Sequence, residues 1–252
     1  MLKAVKKWIG NDGEKTKASP ELWEKVANLF AERVRDNAAV GVNPHIPVVY
    51  IFGGFTSIVE YDSESDSDID LMIDGGNDGG RETRRGGDVI SDAECYDVEN
   101  DRWFPRDPLP EPLRNSGIAS WEGKLFVFGG ESASGKKLSV CRYYNPKSSS
   151  WYTLPCSLSA PRAKFPCASL NGFIYAVGGC NIKYTASNVV EKYEPTRNSF
   201  FEVDSLHTAR CSHGLAVLNG CLYAIGGRND PFRWSQAHSS IERYDPRVSP
   251  EP

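Results

Sequence analysis

The sequence is short of the features that would place it in several common functional classes. None of its apolar stretches approaches the roughly 20 residues of a membrane-spanning helix, and its first residues lack the apolar core of a signal peptide. The net charge is only −4, which gives no indication of a nucleic-acid or membrane partner. The four histidines show no metal-ligand spacing, and no Cys-x-x-Cys pair is present. We therefore expect neither a metal nor a cofactor.

The cysteines do not form a disulfide framework. There are seven, an odd number, and several lie within apolar stretches, where cysteine acts as a small hydrophobe. We expect reduced thiols and a cytoplasmic protein, with the nucleus or the cytoskeleton as alternative locations. Cys180 directly follows a Gly-Gly pair in a predicted loop. An exposed thiol at this place could sense electrophiles, which would require a lowered pKa.

Glycine, with 23 residues, marks the strongest signal in the sequence, which is a repeat. Three apolar stretches each end in Gly-Gly, at residues 124–130, 173–179 and 221–227, and successive diglycines are 49 and 48 residues apart. Three arginines lie 48 residues apart each time, namely Arg114, Arg162 and Arg210. A period of about 50 residues predicts blades of a β-propeller.

Each repeat carries the signals of four antiparallel strands. In the middle repeat, small residues at 166–170 suit a first strand, and the Asn-Gly dipeptide after them predicts a tight hairpin turn. The second strand is apolar throughout, which indicates burial on both faces. It ends at a diglycine, where a side chain would block a positive φ or a close backbone approach. Residues 189–193 and 200–203 complete the predicted blade.

The repeats resemble the Kelch repeat. A tyrosine ends the predicted third strand and a proline follows two residues later, as at residues 144–146, 193–195 and 244–246. An aromatic residue comes seven positions after the first two tyrosines, and Phe200 stands where the Kelch pattern has Trp. The resemblance covers roughly residues 46–246. It implies a mainly β fold, a Kelch-type β-propeller.

The N-terminal part of the sequence reads differently. Residues 1–36 show helical spacing of apolar residues, and Ser19-Pro20 is a helix-start signal. We predict a short α-helical segment plus a linker over residues 1–45 and Kelch repeats over residues 46–252. The helices resemble the end of a BACK domain, which precedes the repeats in BTB–BACK–Kelch adaptors.

The beginning of the repeat region breaks the period. Gly53-Gly54 and Gly75-Gly76 are only 22 residues apart, which is too short for a whole blade. We interpret them as two separate units with a deletion near residue 63. The strands of all units amount to about four blades, so we expect a partial propeller that is truncated at both ends, as an open arc or an imperfectly closed ring.

Residues 52–71 allow a rival hypothesis. A diglycine, a spacer and then Asp68 and Asp70 resemble the nucleotidyltransferase pattern, in which two carboxylates hold Mg²⁺ on a triphosphate. That pattern also needs a third carboxylate on a later strand, and the chain beyond residue 90 consists of repeats. We therefore predict no catalytic residues and keep the nucleotidyltransferase-like site as a remote alternative.

The Kelch resemblance implies a binding function. BTB–BACK–Kelch relatives are substrate-recognition adaptors of cullin-RING ubiquitin ligases, in which the BTB domain binds the cullin and the propeller holds the substrate. This sequence shows no BTB domain, so we expect a non-catalytic protein-interaction module that would reach a cullin only through a BTB domain absent from this chain. Some Kelch proteins bind actin, and a cytoskeleton-binding protein is the alternative.

The loops after the diglycines are the places where we expect binding, because the strands are needed for packing. These loops combine cations, hydroxyl groups and aromatic rings, and they suit an acidic peptide segment. The candidate binding residues are Arg84, Arg85, Ser132, Ser134, Lys136, Lys137, Lys183, Tyr184, Arg228, Arg233 and Trp234. The three recurring arginines are expected to be structural, fixing the turn into each first strand.

Overall fold

The computed structural model describes residues 35–36, 39–43, 48–56, 88–97, 100, 102–231 and 237–248. All regular structure in this part of the chain is β-strand, arranged in antiparallel sheets. None of these residues belongs to a helix that is long and apolar enough to span a membrane. The predicted mainly β class is therefore confirmed, and most of the predicted helical segment, residues 1–34, lies outside the described residues.

The strands form four blades. Blade 1 contains β1 (Arg35–Asp36), β2 (Ala39–Asn43), β3 (Val48–Thr56), β4 (Val89–Asp97) and β5 (Arg102–Arg106). Blade 2 contains β6 (Leu113–Arg114), β7 (Gly117–Trp121), β8 (Lys124–Ser132), β9 (Lys137–Asn145) and β10 (Ser150–Ser157). Blade 3 contains β11 (Arg162–Ala163), β12 (Cys167–Leu170), β13 (Phe173–Val177), β14 (Cys180–Asn181), β15 (Val190–Glu194) and β16 (Ser199–Val203). Blade 4 contains β17 (Gly214–Leu218), β18 (Cys221–Ile225) and β19 (Ile241–Tyr244).

Strand order is the same in each blade. In blade 2, β7, β8, β9 and β10 pair in sequence, and in blade 3, β12, β13, β15 and β16 do so. The first strands β2, β7, β12 and β17 contact one another in that order, so the blades follow each other around a common side. The turns between first and second strands carry positive φ at Glu122, Asn171 and Asn219 and at the glycine after each of them, as predicted for these hairpins.

Blade 1 corrects the interpretation of the irregular stretch. Strand β3, which carries Gly53-Gly54, pairs directly with β4, so a single blade connects them through residues 57–88. The two predicted units are therefore one blade with a long connection between its second and third strands. Strand β2 pairs with β3 from within the predicted linker, and β1 lies within the predicted helix. The diglycine at 75–76 lies outside the described residues.

The first glycine of each diglycine is a contact point between consecutive blades. A Cβ atom on Gly129 would lie 2.6 Å from the carbonyl oxygen of Arg162, and one on Gly178 would lie 2.6 Å from that of Arg210. Both glycines also have positive φ. The sequence-based explanation, close backbone approach or positive φ, is thus confirmed in both respects, because glycine alone tolerates this combination.

Aromatic side chains fill the interfaces between blades. The tyrosine of each third strand is paired across the sheet with the aromatic residue of the fourth strand, as Tyr144 is with Trp151 and Tyr193 is with Phe200. The fourth-strand ring also reaches the preceding blade, and the Trp151 ring lies 4.8 Å from that of Phe52 between centroids. The repeated aromatic landmarks are therefore core residues that join neighbouring sheets.

Candidate functional site

Two kinds of loops share one end of the propeller. Because strands alternate in direction, the loop after each second strand lies at the same end as the connection from one blade to the next. We call this the diglycine end. The Asn-Gly-type turns and the Tyr-x-Pro turns lie at the opposite end, which we call the hairpin end.

The loops of blades 2 and 3 at the diglycine end are built alike. In blade 2, the Ser132 N–H donates to the Lys136 carbonyl and the Gly135 N–H to the Ser132 carbonyl, at 3.0 and 2.9 Å. In blade 3, the equivalent bonds join Asn181 to Thr185 and Tyr184 to Asn181, both at 3.0 Å. Gly135 and Tyr184 therefore hold the same place, and both have positive φ, +78° and +59°.

Tyr184 is the unusual member of this pair, because a tyrosine occupies a left-handed position that glycine occupies next door. Such a conformation costs about 1–2 kcal/mol for a residue with a Cβ atom. The Asn181 side chain holds the loop in place by accepting hydrogen bonds from the backbone N–H groups of Lys183 and Thr185. The tyrosine side chain remains 47% exposed. Non-glycine residues held in strained conformations often lie at functional sites.

A buried charge network supports the Tyr184 ring. The Lys137 ammonium lies 3.5 Å from the ring centroid of Tyr184 and 3.2 Å from the Glu131 carboxylate. Lys137 and Glu131 are both buried. The same carboxylate accepts hydrogen bonds from the Arg114 side chain at 3.2 Å and the Asn115 side chain at 3.0 Å. One carboxylate thus serves two cations, which leaves the network with a positive charge.

A cavity of about 190 Å³ opens between these groups. It is lined by residues from blades 2, 3 and 4 at the diglycine end, namely Arg114, Glu131, Gly135, Lys164, Tyr184 and Pro231. Three blades therefore contribute to one site with cations, a carboxylate and an aromatic ring. Such a site suits an acidic group of a peptide next to an apolar or aromatic anchor.

A chain of backbone hydrogen bonds forms the inner wall of the site. The Lys164 N–H donates to the Asn115 carbonyl and the Ser212 N–H to the Lys164 carbonyl, both at 2.8 Å. All three residues have positive φ, between 52° and 59°. Successive blades are linked in this way, and Lys164 is held facing the cavity. Sequence analysis did not select Lys164 or Asn115, although their fixed distance before each first strand was a usable signal.

The recurring arginines divide into two structural classes. The Arg162 guanidinium is buried and donates to the carbonyls of Gly178 and Val189, both at 2.9 Å, and to the Glu191 carboxylate at 2.6 Å. Arg210 is also buried and forms the same set of bonds in blade 4, where its carboxylate partner is Glu242. The structural role predicted for these two residues is confirmed.

Arg114 is not equivalent to the other two arginines. The carbonyl that meets the first glycine of the preceding blade belongs to Leu113, where Arg162 and Arg210 supply it in the next two blades. Leu113 is buried in place of an arginine, and Arg114 lies one residue further along, at the diglycine end. The equal spacing of 48 residues therefore does not reflect equal positions in the fold.

The structure brings together some of the predicted binding residues. Tyr184 and Lys137 are in contact, but Lys137 is buried within the protein and is not the exposed loop cation that was predicted. Lys136 and Lys183 are exposed at the diglycine end, and the hydroxyl groups of Ser132 and Ser134 lie 3.0 Å apart. Arg228 is partly buried and pairs through its backbone with Cys211. The remaining candidates lie outside the described residues: Arg84, Arg85, Arg233 and Trp234.

Cys180 does not fit the predicted thiol sensor. Its side chain is buried, and burial raises the pKa of the thiol, although Lys137 and Lys164 oppose the rise. A raised pKa lowers the fraction of reactive thiolate, so this hypothesis is wrong. All seven cysteines are free thiols, as expected.

The rival enzyme hypothesis loses its diglycine. Gly53 packs against the Leu113 carbonyl at the interface between blades 1 and 2. A phosphate group therefore has no approach to this turn. The carboxylates Asp68 and Asp70 lie outside the described residues.

Comparisons with known proteins agree with this architecture. A family model described as the KLHDC2/KLHL20/DRC7 Kelch-repeats domain matches residues 68–247. The chain belongs to the Kelch-repeat family. Membership identifies it as a protein-interaction module, and confirms the resemblance found in the sequence.

Several Kelch proteins are similar to this chain. Alpha-scruin of Limulus polyphemus is 34% identical over 110 residues, which cover 41% of this chain and 12% of that protein. Kelch-like protein 40 of Xenopus tropicalis is 30% identical over 152 residues, which cover 60% and 24%. Kelch domain-containing protein 8B of Homo sapiens is 29% identical over 139 residues, which cover 51% and 39%. The chain thus spans well under half the length of each of these relatives.

Proposed function

We propose that this Kelch module binds an acidic segment of a partner protein at its diglycine end. The observation that carries the proposal is the cavity to which three consecutive blades contribute. Lys164 and Arg114 supply positive charge there, and Tyr184 supplies an exposed ring that is held by the buried Lys137. A carboxylate would gain charge-assisted hydrogen bonds, and a neighbouring apolar side chain would pack on the ring.

The wider role that we propose is substrate recognition for a cullin-RING ubiquitin ligase in the cytoplasm. Support comes from the Kelch-like proteins among the relatives and from the family resemblance. In this role the module contributes binding and no catalysis, and the cullin is reached through a BTB domain. Binding to actin filaments is the competing outcome of the experiments.

Two pairs of charge reversals test the location of the site. The first pair, Lys136→Glu with Lys183→Glu, changes exposed cations at the diglycine end. The matched control, Lys147→Glu with Arg197→Glu, changes the net charge equally at the hairpin end, where both residues are exposed. Each protein is used as bait in cell lysate, and captured proteins are quantified by mass spectrometry.

We expect a partner that the wild type and the hairpin-end variant capture and that the diglycine-end variant loses. Its capture should also weaken as salt rises, because exposed charges are screened. Equal capture by both variants would refute the proposed site. Cosedimentation with purified actin filaments would instead favour the cytoskeletal alternative, and copurification of a cullin would extend the ligase role.

A further inference from the structure

Blade 4 has an edge where the other blades have another strand. Among the described residues, β19 is its outermost strand, whereas blades 1, 2 and 3 continue to a fourth strand. The Gly226 N–H donates to the Ser240 carbonyl, so the alternate positions 241 and 243 direct their backbone groups outward. An edge of this kind is a template for pairing with another strand.

The other blades show what a fourth strand places beside this edge. Its first aromatic residue lies opposite the third-strand tyrosine and packs on the residue before the diglycine of the preceding blade. In blade 2 this ring is Trp151, at 4.8 Å from Phe52, and in blade 3 it is Phe200, at 5.3 Å from Phe128. Every such ring therefore closes the interface between two blades.

Blade 4 has the same surroundings and an open space in place of the ring. Tyr244 corresponds to the third-strand tyrosines, and Val177 corresponds to Phe52 and Phe128. A cavity of about 570 Å³ lies between them, many times the ~30 Å³ of a water molecule. Its apolar lining includes Val177, Val190, Leu206, Leu222, Ala224 and Tyr244.

The second position of the fourth strand is also aromatic in all three complete blades, at Phe104, Tyr152 and Phe201. These rings lie on the face opposite the first aromatic residue. In blade 3, the Lys192 ammonium lies 5.9 Å from the Phe201 ring centroid. The corresponding residue in blade 4 is Arg243, whose side chain is 54% exposed. The edge thus offers a guanidinium that complements the face of a second ring.

We infer that the groove between blades 3 and 4 binds an extended segment of another polypeptide that carries two adjacent aromatic residues. The segment adds to β19 as a fourth strand. Its first ring enters the cavity between Val177 and Tyr244, and its second ring covers Arg243. This site is separate from the diglycine end and does not depend on the function proposed there.

The test uses a peptide from the chain's own blade 3. A fluorescein-labelled peptide with the sequence of residues 199–204 (SFFEVD) is titrated with the full chain, and fluorescence anisotropy gives the Kd. The control peptide replaces both phenylalanines by alanine. We expect saturable binding that the control peptide weakens at least about tenfold, since it loses both ring contacts.

A matched pair of protein variants tests the strand-addition geometry. Ile241→Pro removes an outward N–H without removing a hydrogen bond to β18, whereas Ile241→Ala keeps the N–H. The Ile241 side chain is 61% exposed, so neither change disturbs the core. We expect at least about tenfold weaker binding for the proline variant alone, and unchanged binding for Lys136→Glu with Lys183→Glu.

Three results would overturn the inference. They are equal affinity for both peptides, equal affinity of the proline and alanine variants, and a dimer without peptide binding. Light scattering detects the last case, and a dimer that Ile241→Pro converts to monomer would assign the edge to a second copy of this chain.

Discussion

The buried ion pair of blade 3 allows a quantitative prediction about stability. Arg162 and Glu191 are both buried, and the guanidinium lies 2.6 Å from the carboxylate. In blade 2, Leu113 holds the place of Arg162, and Arg142 holds the place of Glu191. A leucine at this position is therefore compatible with the fold, provided that no buried carboxylate faces it.

Arg162→Leu should lower the free energy of unfolding by about 3–5 kcal/mol, because it leaves Glu191 charged and buried without its cation. Adding Glu191→Gln should recover about 1–3 kcal/mol. The amide oxygen can still accept from the Ser159 N–H, which now bonds the carboxylate at 2.8 Å. The new amide N–H groups can donate to the carbonyls that Arg162 leaves.

Urea unfolding at neutral pH, followed by tryptophan fluorescence, measures both variants and the single Glu191→Gln variant. Equal m values are needed for the comparison. The reasoning would be refuted if the double variant were no more stable than Arg162→Leu. That result would mean that the lost hydrogen bonds to the carbonyls, and not the unpaired carboxylate, dominate the cost.

Two further predictions concern the blade contacts and the effect of pH. Gly178→Ala should destabilise the protein by about 1–3 kcal/mol more than Gly172→Ala, because both glycines have positive φ but only the first would place a Cβ 2.6 Å from a backbone oxygen. Equal losses in thermal unfolding would contradict this account of the diglycine. Burial lowers the pKa of His213 to about 4, with Arg210 adding to the effect and Glu242 opposing it. Because the folded pKa is the lower one, its contribution is fully present above about pH 6.5 and is lost as the pH falls toward 4, by up to about 3 kcal/mol. His213→Leu should reduce this slope in urea unfolding, whereas replacement of the exposed His207 by glutamine should not.

Local spacing in the sequence predicted much of the fold. The Asn-Gly-type turns, the diglycines and the pairing of tyrosine with a following aromatic residue are all set within a few residues, so they could be read without the structure. The number of blades followed from the same signals. Non-local pairing was the limit, since nothing in residues 53–89 shows that β3 pairs with β4 across such a long connection.

The candidate site was predicted only in part, because burial within loops depends on neighbouring blades. Lys137 was selected as a loop cation, but it begins β9 and is buried against Glu131 and Tyr184. The position of Arg114 was obscured by a coincidence of spacing. The first glycine follows Arg114 by 15 residues but follows Arg162 and Arg210 by 16, which was the available sign of a shift.

Tyr184 provides the most direct test of the central claim, which is that the diglycine end is a binding site. Tyr184→Gly should change the free energy of unfolding by less than about 1 kcal/mol. Relief of the left-handed strain is offset by loss of the contact with Lys137 and by the greater freedom of glycine in the unfolded chain. Tyr184→Phe keeps the ring and serves as the control.

The decisive measurement is the Kd of these two variants for the partner that the wild type captures, by isothermal titration calorimetry. The account predicts that Tyr184→Gly weakens binding at least about 30-fold, as expected for an aromatic anchor, and that Tyr184→Phe binds nearly as well as the wild type. Unchanged affinity of the glycine variant would contradict the claim that the partner is held at the diglycine end.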